Sequence, residues 1–187
     1  MKIWYQSCTT IGSEKKWENY QNALKDHIKA VVRQDTEIHI QGTKVYTPAI
    51  DRYALLEYFN THSIIENAIK AQEQGFDVFA LGCFLDSGFF EIQDALDIPA
   101  IFSCQAALHL AGILARKFLV VVPNQGLKVR VKERARFFGL NKRIESCKVK
   151  PIEHEKLQIA INDIDVIRDE LEQIVEEDCE AELLVPG

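Results

Sequence analysis

Residues 77–88 read DVFALGCFLDSG, and this stretch decides the fold class. A near-continuous apolar run is typical of a parallel strand covered on both faces, and this one ends at Cys83 before a polar turn. A thiol at the carboxyl end of such a strand faces the crevice in which open α/β sheets bind ligands, and a following helix N-terminus favours its thiolate. Cys83 is therefore a candidate reactive cysteine. The alternative is that it is a small apolar core residue.

Strand and helix patterns alternate outward from this stretch. Strands are predicted at 3–6, 37–42, 78–83, 98–102, 118–122, 144–152 and from 181, with helices at 14–32, 53–59, 63–74, 88–96, 103–114, 127–138 and 156–177. Such alternation predicts parallel sheets joined by right-handed crossovers. Both halves follow a similar order of elements, so we predict two pseudo-symmetric α/β lobes, 1–98 and 99–187, with a ligand cleft between them.

Composition narrows the class of protein. The chain has 187 residues and a formal net charge of −6, which argues against nucleic acid as a partner. Its longest apolar stretches, such as residues 117–122, fall far short of the roughly 20 residues of a membrane-spanning helix. The first residues lack a signal-peptide layout. We therefore expect no membrane association and a cytoplasmic location.

The cysteines and histidines indicate no metal site. The five cysteines are odd in number, widely separated and without a Cys-x-x-Cys pair, so neither a disulfide framework nor a zinc module is predicted. The five histidines show no ligand spacing with one another or with carboxylates.

Three segments carry a resemblance to a known family. They are ALGCFLDSG at 80–88, IPAI at 98–101 and QAALHLA at 105–111. In this order and separation they resemble the aspartate/glutamate/hydantoin racemase superfamily, nearest its hydantoin and allantoin racemase branch. The resemblance implies two flavodoxin-like lobes, no cofactor, a small-molecule substrate and an assembly of identical subunits. It also implies that two cysteines, one from each lobe, face the substrate α-carbon, where one thiolate removes a proton and the opposite thiol delivers another.

By this resemblance Cys83 is the acid/base residue of the first lobe, where its pKa of about 8.5 must be tuned toward neutrality. The substrate-binding residues it implies lie in three loops: Ser7, Thr9 and Thr10 after the first strand; Asp86, Ser87 and Gly88 after Cys83; and Asn124 in the second lobe.

Two departures from the family pattern matter. Ser87 stands where relatives carry proline, which loosens the turn without removing an N–H donor. The second cysteine is expected immediately after Gly187 and is not in this chain, and Cys179 does not match its position. We therefore expect residues absent from this chain to complete the first lobe.

The leading hypothesis is a cofactor-independent racemase or epimerase acting at a carbon next to a carbonyl, on a hydantoin-like or amino-acid-derived substrate. A second hypothesis keeps one cysteine and performs another enolate reaction, decarboxylation or isomerisation. A third is a non-catalytic relative that binds a small molecule.

Overall fold

A computed structural model describes residues 1–149, 168, 172, 174 and 181–187. Its strands are β1 Lys2–Ser7, β2 Glu37–Gln41, β3 Val78–Gly82, β4 Ala100–Phe102, β5 Phe118–Val122, β6 Ile144–Val149 and β7 Leu183–Pro186. Its helices are α1 Glu18–Val31, which a short 3₁₀ turn at Lys15–Trp17 precedes, α2 Ala54–Glu73, α3 Phe89–Ala95, α4 Ser103–Leu114 and α5 Gln125–Phe137. Most of the predicted helix at 156–177, together with Cys179, lies outside the described residues.

The chain divides into two units, Met1–Ser103 and Cys104–Gly187. The first contains a parallel sheet in the order β2-β1-β3-β4, and the second a parallel sheet in the order β6-β5-β7. The first order is that of the flavodoxin-like doubly wound fold. The prediction of parallel α/β sheets is confirmed. β4 pairs with β3, so it belongs to the first unit, which ends at Ser103.

Side-chain burial follows the strands. All five residues of β5 are buried, the pattern of a strand covered on both faces. In β3, Phe79 and Leu81 are buried, and the alternate residues Val78, Ala80 and Gly82 are half-buried. On the neighbouring β1, Trp4 is fully buried, and its indole N–H donates to Gln6 Oε1 at 3.1 Å. This bond satisfies two buried polar groups at once.

The predicted break between helices at 53–59 and 63–74 is wrong, since α2 is one continuous helix. No glycine or proline interrupts residues 60–63, and the hydroxyl groups there have hydrogen-bond partners. Thr61 Oγ1 donates to the Glu57 carbonyl at 2.8 Å, and Ser63 Oγ accepts the Lys44 N–H at 3.2 Å. The bond of Thr61 lies within the helix, whereas Ser63 and Asn60 bond segments outside it, and these tertiary contacts offset the weak helix propensity of the two residues. The helix stops before Gly75, whose φ of +73° is the expected left-handed terminus.

No helix within the described ranges combines the length and the apolar character that crossing a bilayer requires.

Candidate active site

Two cysteines meet where the central strands of the first sheet end. β1 and β3 are parallel neighbours, and their register pairs Ser7 with Gly82. The next residues are Cys8 and Cys83, so both thiols lie at the carboxyl edge of the sheet. In a sheet of this order the switch point between these two strands is where ligands bind. The fold therefore presents a pair of thiols, both reduced, at its expected ligand-binding edge.

A hydrogen bond between the two thiols makes them chemically unequal. The Cys83 S–H donates to the Cys8 sulfur, which lowers the pKa of Cys8. The same bond, followed by burial and by the negative charge on Cys8, holds the pKa of Cys83 well above its usual range. The pair shares its protons, and the first negative charge rests on Cys8. The thiolate expected on Cys83 therefore has a second sulfur as its neighbour, and the hydrogen bond between the two raises the pKa of Cys83.

The loop after β1 is held by its own polar groups and by α2. Ser7 Oγ accepts the Thr9 N–H at 3.2 Å and lies 3.0 Å from the Thr9 hydroxyl. The Asn60 side chain donates through Nδ2 to the Cys8 carbonyl at 3.2 Å. On the far side the Thr43 N–H donates to the Thr9 carbonyl at 2.8 Å. These bonds fix the backbone on both sides of the Cys8 thiol.

The Thr10 side chain is buried and makes its hydrogen bonds within the protein. Its hydroxyl donates to the Glu14 carboxylate and accepts the Trp17 indole N–H, the latter at 2.9 Å. The Ser13 hydroxyl donates to the Thr10 carbonyl at 2.9 Å instead of capping a helix. This end of the loop is therefore anchored to the start of the first helical segment.

The turn after β3 is compact and buried. The Asp86 N–H donates to the Cys83 carbonyl at 3.1 Å, and Asp86 adopts a left-handed conformation with φ of 50°. The buried Ser87 hydroxyl donates to Glu57 Oε1 of α2 at 3.0 Å. Gly88 has a φ of +73° and leads directly into α3. Asp86 also raises the pKa of Cys83 through charge repulsion, a smaller contribution than the hydrogen bond to Cys8.

Two phenols lie close enough to influence the thiols. A Cβ added at Gly82 would overlap the hydroxyl of Tyr5, so this position requires glycine. A hydrogen bond joins Tyr5 to Tyr20, and burial raises the pKa of both phenols. Both stay protonated at neutral pH. They bring hydroxyl groups to the site without adding a negative charge.

The remaining predicted residue, Asn124, lies in the second unit. It caps α5, where its Oδ1 accepts the Leu127 N–H at 2.9 Å. Within the part of the chain that the structure describes, no three His, Cys, Asp or Glu side chains cluster as metal ligands would.

Sequence reasoning missed Cys8 and Asn60. In the sequence, Cys8 lies two residues after the strand predicted at 3–6, and Cys83 ends the strand predicted at 78–83. In a flavodoxin-like order those two strands are neighbours, so this resemblance was a sufficient signal for the pair. Asn60 carried no signal, because its contact with Cys8 joins residues 52 positions apart.

Removing the Cys83 hydrogen bond is expected to make Cys8 less reactive. In Cys83→Ala nothing donates from that position to the Cys8 thiolate, so the pKa of Cys8 rises and its alkylation at pH 7.5 slows. Iodoacetamide labelling of Cys8 measured against pH gives the midpoint. A midpoint that stays in place or moves to lower pH in Cys83→Ala contradicts this assignment. Cys147→Ala, which alters a thiol in the second unit, serves as the control.

A flavodoxin-like parallel sheet with a pair of thiols at its switch point defines the α/β class of this protein. The family model described as Asp/Glu/Hydantoin racemase matches residues 18–183. The chain belongs to this family, and Cys83 falls within the matched range.

Known proteins support the same assignment. The chain is 29% identical to a hydantoin racemase of Pseudomonas sp. (strain NS671) over 160 residues, covering 83% of this chain and 63% of that protein. An allantoin racemase from Klebsiella pneumoniae superposes with a TM-score of 0.84 at 17% identity, covering all of this chain and 74% of that one. An arylmalonate decarboxylase superposes with a TM-score of 0.63 at 14% identity, covering all of this chain and 78% of that one. The last two likenesses concern the fold alone.

Proposed function

We propose that this chain carries the first-lobe proton-transfer site of a cofactor-independent racemase or epimerase. The substrate is a hydantoin-like or amino-acid-derived molecule whose reacting carbon lies next to a carbonyl. The observation that carries the proposal is the hydrogen-bonded pair of Cys8 and Cys83 at the carboxyl edge of β1 and β3. Membership of the racemase family, and the hydantoin racemase among the relatives, support this choice of substrate.

In this proposal Cys83 is the acid/base residue, and Cys8 carries the negative charge of the pair until the substrate reacts. In the singly ionised pair the proton rests on Cys83. Its transfer to Cys8 along the hydrogen bond leaves Cys83 as the thiolate that removes the substrate proton. Since the net charge of the pair does not change in that transfer, no new charge has to be buried before the substrate reacts.

Asn60 is a candidate to hold the substrate beside the thiols. The side chain is 2% exposed, and its Nδ2 is already bonded to the Cys8 carbonyl. Among the described residues its Oδ1 is buried and has no hydrogen-bond partner. Buried acceptors are normally satisfied, and a ring N–H of a hydantoin is a donor of the right kind. Thr9, half-buried on the same loop, is the proposed second contact.

The turn after β3 is the proposed site for the developing negative charge. Removal of the α-proton places charge on the neighbouring carbonyl oxygen, and backbone N–H groups are suited to receive it. The Asp86 N–H is occupied by Cys83. The proposal therefore assigns this task to the N–H groups of Ser87 and Gly88.

A second function, a one-sided enolate reaction, is favoured by one observation. Cys8 and Cys83 follow neighbouring strands of the same sheet, so both address a substrate from the same side. Decarboxylation or isomerisation with protonation from one face needs nothing more. Inversion also needs a donor on the opposite face.

Solvent exchange distinguishes these functions. A single enantiomer of a 5-substituted hydantoin is incubated with the chain in D2O, with mass spectrometry reporting deuterium and chiral chromatography reporting configuration. Deuterium uptake with inversion supports the racemase. Uptake with retention supports the one-sided reaction for this chain, because both thiols then exchange the proton from a single face. Absence of uptake, with a rise in melting temperature on adding the hydantoin, identifies a binding relative and contradicts both enzymatic functions.

Three further predictions are drawn from the family likeness alone. Assembly from identical subunits, the absence of a cofactor and a ligand-binding role for Asn124 stay predictions from the family likeness.

A further inference from the structure

The backbone positions of Cys8 and Cys83 suit a covalent bond between them. Neighbouring strands of a sheet lie roughly 4.8 Å apart, and the register of β1 and β3 places these two residues side by side just past the last paired positions. Disulfides join Cα atoms about 4.4–6.8 Å apart. The two sulfurs already share a hydrogen bond, so little rearrangement separates the thiol pair from a disulfide.

Both backbones are held at that spacing. The Cys8 carbonyl accepts from Asn60 at 3.2 Å, and the Cys83 carbonyl accepts from Asp86 at 3.1 Å. A disulfide that forms between restrained residues avoids the cost of first ordering two loops.

The two thiols differ in the way that a redox pair requires. Cys8 is half-buried as a residue, whereas Cys83 is 8% exposed. The hydrogen bond from Cys83 lowers the pKa of Cys8, so the thiol of the less buried residue is also the one that ionises first. Redox-sensitive cysteines are accessible thiolates, often placed next to a resolving thiol. Cys8 and Cys83 meet that description in this order.

We propose that Cys8 and Cys83 form a reversible disulfide when the protein meets a hydroperoxide. The Cys8 thiolate attacks the peroxide, an S–O bond forms, the O–O bond breaks, and the departing alkoxide or hydroxide takes up a proton. The Cys83 sulfur then attacks the sulfenic acid on Cys8. An S–S bond forms, the S–O bond breaks, and hydroxide leaves with the Cys83 proton as water. Two thiols lose two electrons in total, the peroxide gains them, and a dithiol reductant reverses the change.

The disulfide gives the site a means of regulation. It removes the proton from Cys83 and the charge from Cys8, so neither sulfur is left to exchange a proton with substrate. This consequence rests on the proposed function, but formation of the bond does not.

Peptide mapping tests the proposal on the whole chain. The reduced protein is treated with a small excess of hydrogen peroxide, the remaining thiols are blocked with N-ethylmaleimide under denaturing conditions, and the digest is sequenced by tandem mass spectrometry. We expect a fragment that joins Cys8 to Cys83, two hydrogens (about 2 Da) lighter than its reduced parts, and its disappearance on treatment with dithiothreitol. A map without this linked fragment, or with Cys8 linked mainly elsewhere, overturns the proposal.

Single variants separate the two roles. Cys83→Ser leaves Cys8 without a resolving thiol, so its sulfenic acid should persist and be trapped by dimedone. In the wild-type protein at short peroxide exposure, dimedone should trap the sulfenic acid on Cys8 about ten times as often as on Cys83, and equal labelling would contradict the assigned order. Cys147→Ser is the matched control and should form the linked fragment normally. The readout is a mass, so a linked fragment without proton exchange, or exchange without a linked fragment, tells which proposal has failed.

Discussion

Cys83→Ser is expected to slow deuterium exchange at the substrate α-carbon by about a thousandfold, the middle of the range for loss of a general acid–base group. A serine hydroxyl is similar in size but far less acidic than a thiol. It therefore neither removes the α-proton nor returns one at neutral pH. Exchange into a 5-substituted hydantoin in D2O, measured by mass spectrometry at fixed enzyme concentration, gives the rate.

Two controls separate the loss of the Cys83 thiol from a loss of the folded structure. Cys147→Ser changes a buried thiol of the second unit and should retain the wild-type exchange rate. Circular dichroism and thermal melting of Cys83→Ser should match the wild-type protein, since the substitution adds no volume. An exchange rate within threefold of wild type in a folded Cys83→Ser protein would remove Cys83 from the mechanism.

Gly42→Ala is expected to lower the free energy of unfolding by about 3 kcal/mol, at the upper end of typical overpacking costs. Gly42 follows β2 and is buried against the loop that carries Cys8. An added Cβ would lie 2.5 Å from the Thr9 carbonyl oxygen and 2.5 Å from the Ile11 backbone nitrogen and oxygen. These are backbone atoms that cannot swing away as a flexible side chain would. The loop or the end of β2 must shift.

Urea unfolding measures the loss, with Gly112→Ala as the matched glycine variant. A Cβ at Gly112 meets the end of the Leu140 side chain at 3.2 Å, and alanine is favoured over glycine within α4. Its free energy of unfolding should therefore stay within about 1 kcal/mol of wild type. If both variants unfold at the same urea concentration, the close approach of Gly42 to the first loop is not a significant constraint.

The sequence was sufficient for the strands and for the place of Cys83 at the carboxyl end of one of them. β3 and β5 are short apolar runs bounded by polar turns, and alternation with helices dictates parallel pairing. Such patterns are local, so they do not report which strands become neighbours. The partnership of Cys8 with Cys83 depends on β1 lying beside β3. For that reason the thiol pair emerged only with the sheet order.

The wrong prediction of a break in α2 has the same cause as the missed thiol pair, since both depend on contacts between segments far apart in the sequence. The break predicted within α2 followed from local propensity, which the contacts of residues 60–63 with other segments override. The hydrogen bond between Cys83 and Cys8 was missed for the same reason, because it depends on β1 and β3 being neighbours.

α2 holds both thiol-bearing loops at once, since Asn60 bonds the loop of Cys8 and Glu57 bonds the turn of Cys83 through Ser87. The two contacts are less than one helical turn apart. Local opening of this helix would therefore free both loops in a single cooperative event. Substitutions elsewhere in α2 would change how often the helix opens. They would thereby change the reactivity of the thiol pair without contacting a ligand.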